Sequence, residues 1–227
     1  MDDTNPSIST PPHTSNRRYS LADRFIEQLD RTLRTLSPGQ SVQHRATPRA
    51  DITSEPLTET ERRHAAGLMR VNHTGEVCAQ ALYQGQSLTA KLPNVRTEME
   101  QAANEEIDHL HWCAERLDSL GAHSSILNPA WYGLSFGMGA VAGLISDETS
   151  LGFVAATEEL VCAHLEEHLD KLPANDLASR AVVTQMIIEE KQHGDKAIQA
   201  GGKALPDPVK WGMRMVSKVM TKTTYHI

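Results

Sequence analysis

Two segments of this chain set a carboxylate and an imidazole one helical turn apart: Glu106-Ile107-Asp108-His109 and Glu190-Lys191-Gln192-His193. On an α-helix, residues three apart lie about 60° apart around the axis, so each pair aims an oxygen and a nitrogen donor at one point. Each pair also follows a lone glutamate at a matching distance, Glu76 standing 30 residues before Glu106 and Glu158 standing 32 before Glu190. Glu, Glu-x-x-His, Glu, Glu-x-x-His is the donor set with which a four-helix bundle holds two metal ions. A buried carboxylate without a partner is costly or keeps its proton, so four inward glutamates call for cations, and two divalent ions balance them. Hard oxygen donors with one imidazole per metal exclude thiolate zinc and iron–sulfur chemistry and suit Fe or Mn, with zinc as an adventitious occupant. Two Fe ions are the expected cofactor, because two reduced irons bridged by carboxylates at about 3.5–4 Å can together reduce O2.

Four helices must carry these donors on their inward rows. The first starts at Thr58, where Thr58-x-x-Glu61 is a capping box, and runs to about Lys91. Its row through Glu76 is mixed, with Met69, Asn72, His73, Ala79, Gln80 and Tyr83. Pro93 opens the second and Gly121 closes it, and its row through Glu106 holds Met99, Ala102, Ala103, His109, Leu110, Cys113 and Leu117. In the third, Glu158 and Glu159 are neighbours and only one can point inward. Glu158 shares its row with Leu151, Val154, Val161, Cys162 and Leu165, whereas Glu159 shares one with Gly152, Glu166 and Asp170, so Glu158 is expected inside. The same comparison in the fourth selects Glu190, with Val183, Met186 and Ile187, over Glu189, with Gln185, Gln192 and Lys196. His164 and His168 stand off the donor rows and are expected at the surface or behind the ligands, and His111 and His123 are expected to be structural.

The chain has 227 residues and a net charge of −7, which does not suggest a nucleic-acid partner. Cys78, Cys113 and Cys162 are spaced for neither a zinc knuckle nor a disulfide framework and read as buried thiols of a reducing compartment. Residues 1–19 are polar and low in large apolar side chains, the composition of a disordered tail without a secretory signal. Residues 20–36 repeat Leu21, Phe25, Ile26, Leu29, Leu33 and Leu36 at helical spacing, an amphipathic helix for the bundle or a partner, and 37–56 read as a linker. Ser124–Ser146 carries no charge but includes Pro129 and four glycines, a poor spanning helix that suits a buried arm or a surface entering a bilayer partway. From Val209 to Lys222, Val209, Met213, Val216 and Met220 share one side while Lys210, Arg214, Lys218 and Lys222 share the other. That pattern fits a helix lying on an anionic membrane surface, or equally one packed on the bundle. No phosphate-binding loop, dinucleotide fingerprint or nucleophile elbow is present.

Arg70-Val71-Asn72-His73-Thr74-Gly75-Glu76 followed by Ala81-Leu82-Tyr83-Gln84-Gly85-Gln86 resembles the first ligand helix of the demethoxyubiquinone hydroxylases, the di-iron monooxygenases of ubiquinone biosynthesis. Glu106-Ile107-Asp108-His109-Leu110, Thr157-Glu158-Glu159 with Ala163-His164, and Glu190-Lys191-Gln192-His193-Gly194-Asp195 are similar to the other three, and the likeness runs from about Leu57 to the C-terminus. It implies an all-α fold, a ferritin-like four-helix bundle with extra N- and C-terminal amphipathic helices, so that 57–227 form one di-iron domain including a C-terminal membrane-surface helix. It implies Glu76, Glu106, His109, Glu158, Glu190 and His193 as iron ligands, with Glu106 and Glu190 bridging. The implied reaction inserts one oxygen atom from O2 into the ring of a polyprenyl demethoxyubiquinol taken from the bilayer by a peripheral protein on the cytoplasmic side of the cell membrane. The electron donor carries no sequence signal, and a homo-oligomer is left open. The competing expectation is a ferritin-like iron storage or detoxification protein; a rubrerythrin relative is weakened by the lack of a Cys-x-x-Cys pair.

Overall fold

The computed structural model describes residues 20–37, 43–48 and 56–227. The expected tail over 1–19 and most of the expected linker lie outside the described residues. Among the described residues seven helices follow in order: α1 (Leu21–Leu36), α2 (Glu59–Thr89), α3 (Pro93–Ser119), α4 (Asn128–Ile145), α5 (Asp147–Lys171), α6 (Leu177–Gln199) and α7 (Asp207–Thr224). Local chemistry sets their ends. Thr58 and Glu61 close a reciprocal capping box on α2, and Ser146 and Asp176 cap α5 and α6 by accepting from the backbone N–H three residues on. Gly121 (φ 66°) and Gly201 (φ 105°) take the left-handed conformation that ends α3 and α6.

The chain is an all-α, ferritin-like bundle of two hairpins, α2 with α3 and α5 with α6, joined by the crossover helix α4. Two apolar layers fill it. One contains Met69, Trp112, Cys113, Leu117, Leu165, Val183 and Met186; the other contains Ala79, Tyr83, Met99, Ala103, Leu151, Val154 and Ala197. On each of the four helices the donor residues fall between these two groups, so the acidic cluster is a polar layer with dry layers above and below it.

The uncharged stretch forms α4, which packs against α2 through glycine. A Cβ added at Gly139 would stand 2.2 Å from the Leu82 carbonyl oxygen, and one at Gly85 2.3 Å from that of Phe136. A helix-interior Gly→Ala change normally gains about 1 kcal/mol. At Gly139 the clash reverses the sign: Gly139→Ala is expected to destabilise by about 1–3 kcal/mol in urea unfolding, and a stabilised variant would show that the crossing is loose. Leu134, Val141, Leu144 and Ile145 remain on the outer face of α4. No helix among the described residues is long and apolar enough to cross a membrane.

The two amphipathic helices sit differently from one another. α1 docks by its polar row, Gln28 donating to Gln84 (3.0 Å), Thr32 bonding Tyr132 (2.9 Å) and Thr35 accepting from Gln84 (3.2 Å). Phe25, Ile26, Leu29 and Leu33 are left exposed. The reason lies on α2, where the buried Gln84 amide needs hydrogen-bond partners. α7 turns Met213, Val216 and Met220 toward a cavity in the bundle wall, and Lys210 pairs with Glu159 (3.2 Å). Trp211, Met215 and Val219 face outward beside Arg214, Lys218 and Lys222.

Candidate metal centre

Glu76, Glu106, His109 and Glu190, all buried, bring one donor atom each to within 4.8 Å of one another. His193 completes the other side, its Nδ1 lying 2.7 Å from Glu106 Oε1 and 3.5 Å from Glu190 Oε2. Glu158, 1 % exposed, borders the cluster from α5 and accepts a hydrogen bond from the Tyr83 hydroxyl, while its neighbour Glu159 is exposed. The apolar layers on α5 and α6 dictate these choices, since rotating either helix to bring Glu159 or Glu189 to the axis would expose Leu165 or Met186.

The imidazoles pair with the acids around them, His109 Nδ1 lying 2.9 Å from Glu106 Oε2 and 3.0 Å from Glu190 Oε1, yet the acids outnumber them. Glu76 Oε2, Glu158 Oε2 and Glu190 Oε2 are fully buried and accept no hydrogen bond among the described residues. Three carboxylates each offering a spare buried oxygen is a cost that divalent ions would offset. The residues therefore fit a two-metal group, with oxygen donors in excess and one imidazole at each end.

Electrostatics separates the acids. Burial pushes the Glu76 and Glu158 carboxyls well above the usual carboxylate range, reinforced by the neighbouring Glu190 and Glu106. Burial acts in the same direction on Glu106, but His109 and His193 outweigh it and hold Glu106 well below its ordinary value. Burial would depress both imidazoles, yet the carboxylates, chiefly Glu106, raise His109 well above the usual range and His193 to about 11. In protein stripped of metal, Glu106 is thus the shared counterion of the two imidazoles, while burial biases Glu76 and Glu158 toward their protonated forms.

Each imidazole has a second carboxylate partner, one of them Glu189, which its polar row had placed outside. His109 Nε2 donates to Glu189 (2.6 Å) and His193 Nε2 to Glu105 (2.9 Å), which leaves both Nδ1 atoms facing the cluster. Such outer partners fix the tautomer and ring angle of a metal-binding histidine. The signal was present as a doubled acid: Glu105-Glu106 and Glu189-Glu190 each precede a histidine by the same interval, and the first acid of each pair reaches the histidine of the other.

Beside Glu76 lies a cavity of about 870 Å3, counting its open mouth, between α2, α4, α5 and α7. Its wall is mostly apolar, with Leu82, Met138, Phe153, Val161, Met213 and Met220. His164 is the imidazole in that wall; its Nε2 is buried with no hydrogen-bond partner, and burial lowers its pKa to about 4, so the ring is neutral near pH 7. Behind it His168 is buried and donates from Nδ1 to Asn72 Oδ1 (2.7 Å), and Asn128 bonds Thr74 (2.7 Å).

The chain matches the family Ubiquinone biosynthesis protein COQ7 over residues 63–224. It is 62% identical over 213 residues to a 3-demethoxyubiquinol 3-hydroxylase of Stutzerimonas stutzeri (strain A1501), covering 94% of this chain and 99% of the relative. It is 60% identical over 213 residues to the enzyme of that name from Ectopseudomonas mendocina (strain ymp), with the same coverage. A third, from Pseudomonas fluorescens (strain SBW25), is 59% identical over 214 residues, 94% of this chain and 100% of the relative. With the acidic cluster at the centre of its ferritin-like bundle and these matches along nearly all its length, the chain belongs to the COQ7 family of ubiquinone biosynthesis proteins.

Proposed function

We propose that this protein is an O2-dependent di-iron monooxygenase that hydroxylates the quinol ring of a polyprenyl demethoxyubiquinol in ubiquinone biosynthesis. The hydroxylation is the activity named for its relatives, none of the three being a storage protein. One observation carries the di-iron part: four buried glutamates, three of them with an oxygen that accepts no hydrogen bond among the described residues, converge with His109 and His193 beside an apolar cavity. We assign Glu76, Glu106, His109, Glu158, Glu190 and His193 as the residues that would hold two Fe ions. Bound there, the iron pair would supply the reduction of O2 and the insertion of one oxygen atom into the ring.

The chain's own residues supply position and dryness. Glu76 belongs to both the cluster and the cavity wall, so a ring seated in the cavity lies against the Glu76 side of the centre. The neutral His164 imidazole gives a ring hydroxyl a hydrogen-bond partner in a mostly apolar wall. Met213, Val216 and Met220 of α7 close that wall, keeping water from the reacting face and matching an isoprenoid tail in polarity. Tyr83 holds Glu158 by one oxygen and leaves the other for metal.

The substrate tail implies a lipid surface, and the outward Trp211, Met215 and Val219 with Arg214, Lys218 and Lys222 form an amphipathic face for it. Replacing Arg214, Lys218 and Lys222 by Gln is expected to weaken binding to anionic vesicles, with a deficit that shrinks as salt rises and with iron content unchanged. Co-sedimentation checks this; a variant that binds as well as wild type would remove α7 from the membrane face. The test of the function is quinone profiling of a strain carrying Glu158→Gln at the chromosomal locus. Accumulated demethoxyubiquinone is expected, and a normal ubiquinone profile would overturn the reading.

A further inference from the structure

The two halves of the centre differ in what stands behind them. On the His193 side, Glu105 is about one-third exposed and is steadied by Gln101 (3.0 Å) and Lys196 (3.3 Å), both in the bundle near the surface. On the His109 side, Glu189 is 12 % exposed and accepts from Gln185 of α6 (2.6 Å) much as Glu105 accepts from Gln101, but it is gripped in addition from outside the bundle by residues 43–48, well before the first bundle helix. The Arg45 guanidinium forks onto Glu189, Nη1 to Oε1 at 2.5 Å and Nη2 to Oε2 at 2.9 Å, while its Nε donates to Asp108 at 2.7 Å. The segment is itself fixed in place. The His44 and Arg45 backbone N–H groups donate to Asp108 Oδ1 (2.7 and 3.3 Å), the Trp112 indole donates to the Arg45 carbonyl (3.3 Å), and Thr47 bonds Glu115. The guanidinium also lies 5.0 Å from the centre of the Trp112 ring, which packs against His109 at 5.2 Å.

We propose that residues 43–48 are a latch on the metal centre and that Arg45 is a positioning residue for one of its two ions. It acts through Glu189, holding the carboxylate where it fixes the His109 ring with Nδ1 toward the cluster. A planar fork suits this role because it sets both oxygens of Glu189 at once, which a single ammonium does not. The two ions are consequently inequivalent: the one at His109 is locked by the latch and exchanges slowly, and the one at His193 exchanges faster.

This inference rests on the metal assignment made above, and its test uses the full chain loaded anaerobically with Fe(II), with release to a chromogenic Fe(II) chelator followed by absorbance. Wild type is expected to release iron in a slow and a fast phase of equal amplitude. Arg45→Met, which keeps the packing on Trp112 but not the fork, is expected to speed the slow phase about tenfold, within the range seen when an outer partner is lost, and to leave the fast phase alone. Arg45→Lys should fall between, and Glu105→Gln should move the fast phase only. A slow phase unmoved in Arg45→Met, both phases moving together, or a single phase in wild type would overturn the latch. Thermal unfolding of the metal-free variants separates positioning from folding: a release effect with an unchanged midpoint supports the latch, and one that tracks a lowered midpoint overturns it. A wild-type chain that takes up no Fe(II) would overturn the metal assignment itself and the latch with it.

Discussion

Glu106→Gln is expected to abolish metal loading and, in metal-free protein, to lower stability by about 3–5 kcal/mol, the cost of breaking a buried ion pair on one side. Glu106 is fully buried and is the counterion that both His109 and His193 share, so a neutral amide strands two imidazolium groups. The direction of the pH effect follows. His193 keeps its proton up to about pH 11, so its attraction to Glu106 stabilises the metal-free fold fully below its ordinary pKa of 6.5 and fades as pH rises toward 11. The deficit of Glu106→Gln should narrow over the same interval. Glu158→Gln should behave differently, weakening metal binding by about 100-fold or more while leaving the metal-free fold as stable as wild type. Burial biases the Glu158 carboxyl toward its neutral form, which an amide resembles, and an amide can still accept from Tyr83. Glu159→Gln should match wild type in both respects, because Glu159 is exposed and pairs with Lys210 at the surface. Iron content per chain and urea unfolding of chelator-treated protein check all three. Equal metal loss in Glu158→Gln and Glu159→Gln would show that the register assigned to α5 is wrong, and an undiminished stability in Glu106→Gln would show that the imidazoles are uncharged.

Gly75→Leu is expected to cut kcat/KM for a polyprenyl quinol by about 10- to 100-fold, the effect of lost hydrophobic complementarity in a pocket, without loss of iron. Gly75 precedes Glu76 and lines the apolar cavity, and nothing lies within 4 Å of a Cβ placed there. The new side chain therefore fills the cavity and spares the fold. Removing a helix-interior glycine should even add about 0.5–1 kcal/mol of stability. Activity that falls together with stability would mean that α2 had shifted, and unchanged activity would place the substrate elsewhere.

The sequence by itself determined which acids and imidazoles are buried and the helices that carry them. A period of 3.6 residues fixes which side chains share a row, so Leu165 and Met186 are enough to turn Glu158 and Glu190 inward, and capping residues and glycines mark the ends. It did not determine what each row meets. Glu189 shares its row with polar residues and reads as outward, yet it lies at the seam of α3 and α6, 80 positions from the His109 it holds. Arg45 lies in a stretch with linker composition, and its contacts with Asp108 and Glu189 span 63 and 144 positions. The apolar row of α7 had two equal destinations, bilayer or bundle, and only the opening between α2, α4 and α5 decided that Met213, Val216 and Met220 turn inward. Periodicity encodes direction about a helix axis, whereas partners across a seam are set by packing between helices remote in sequence. The acids and imidazoles that turn inward were therefore legible in the chain, and the groups that hold them became visible only in the folded bundle.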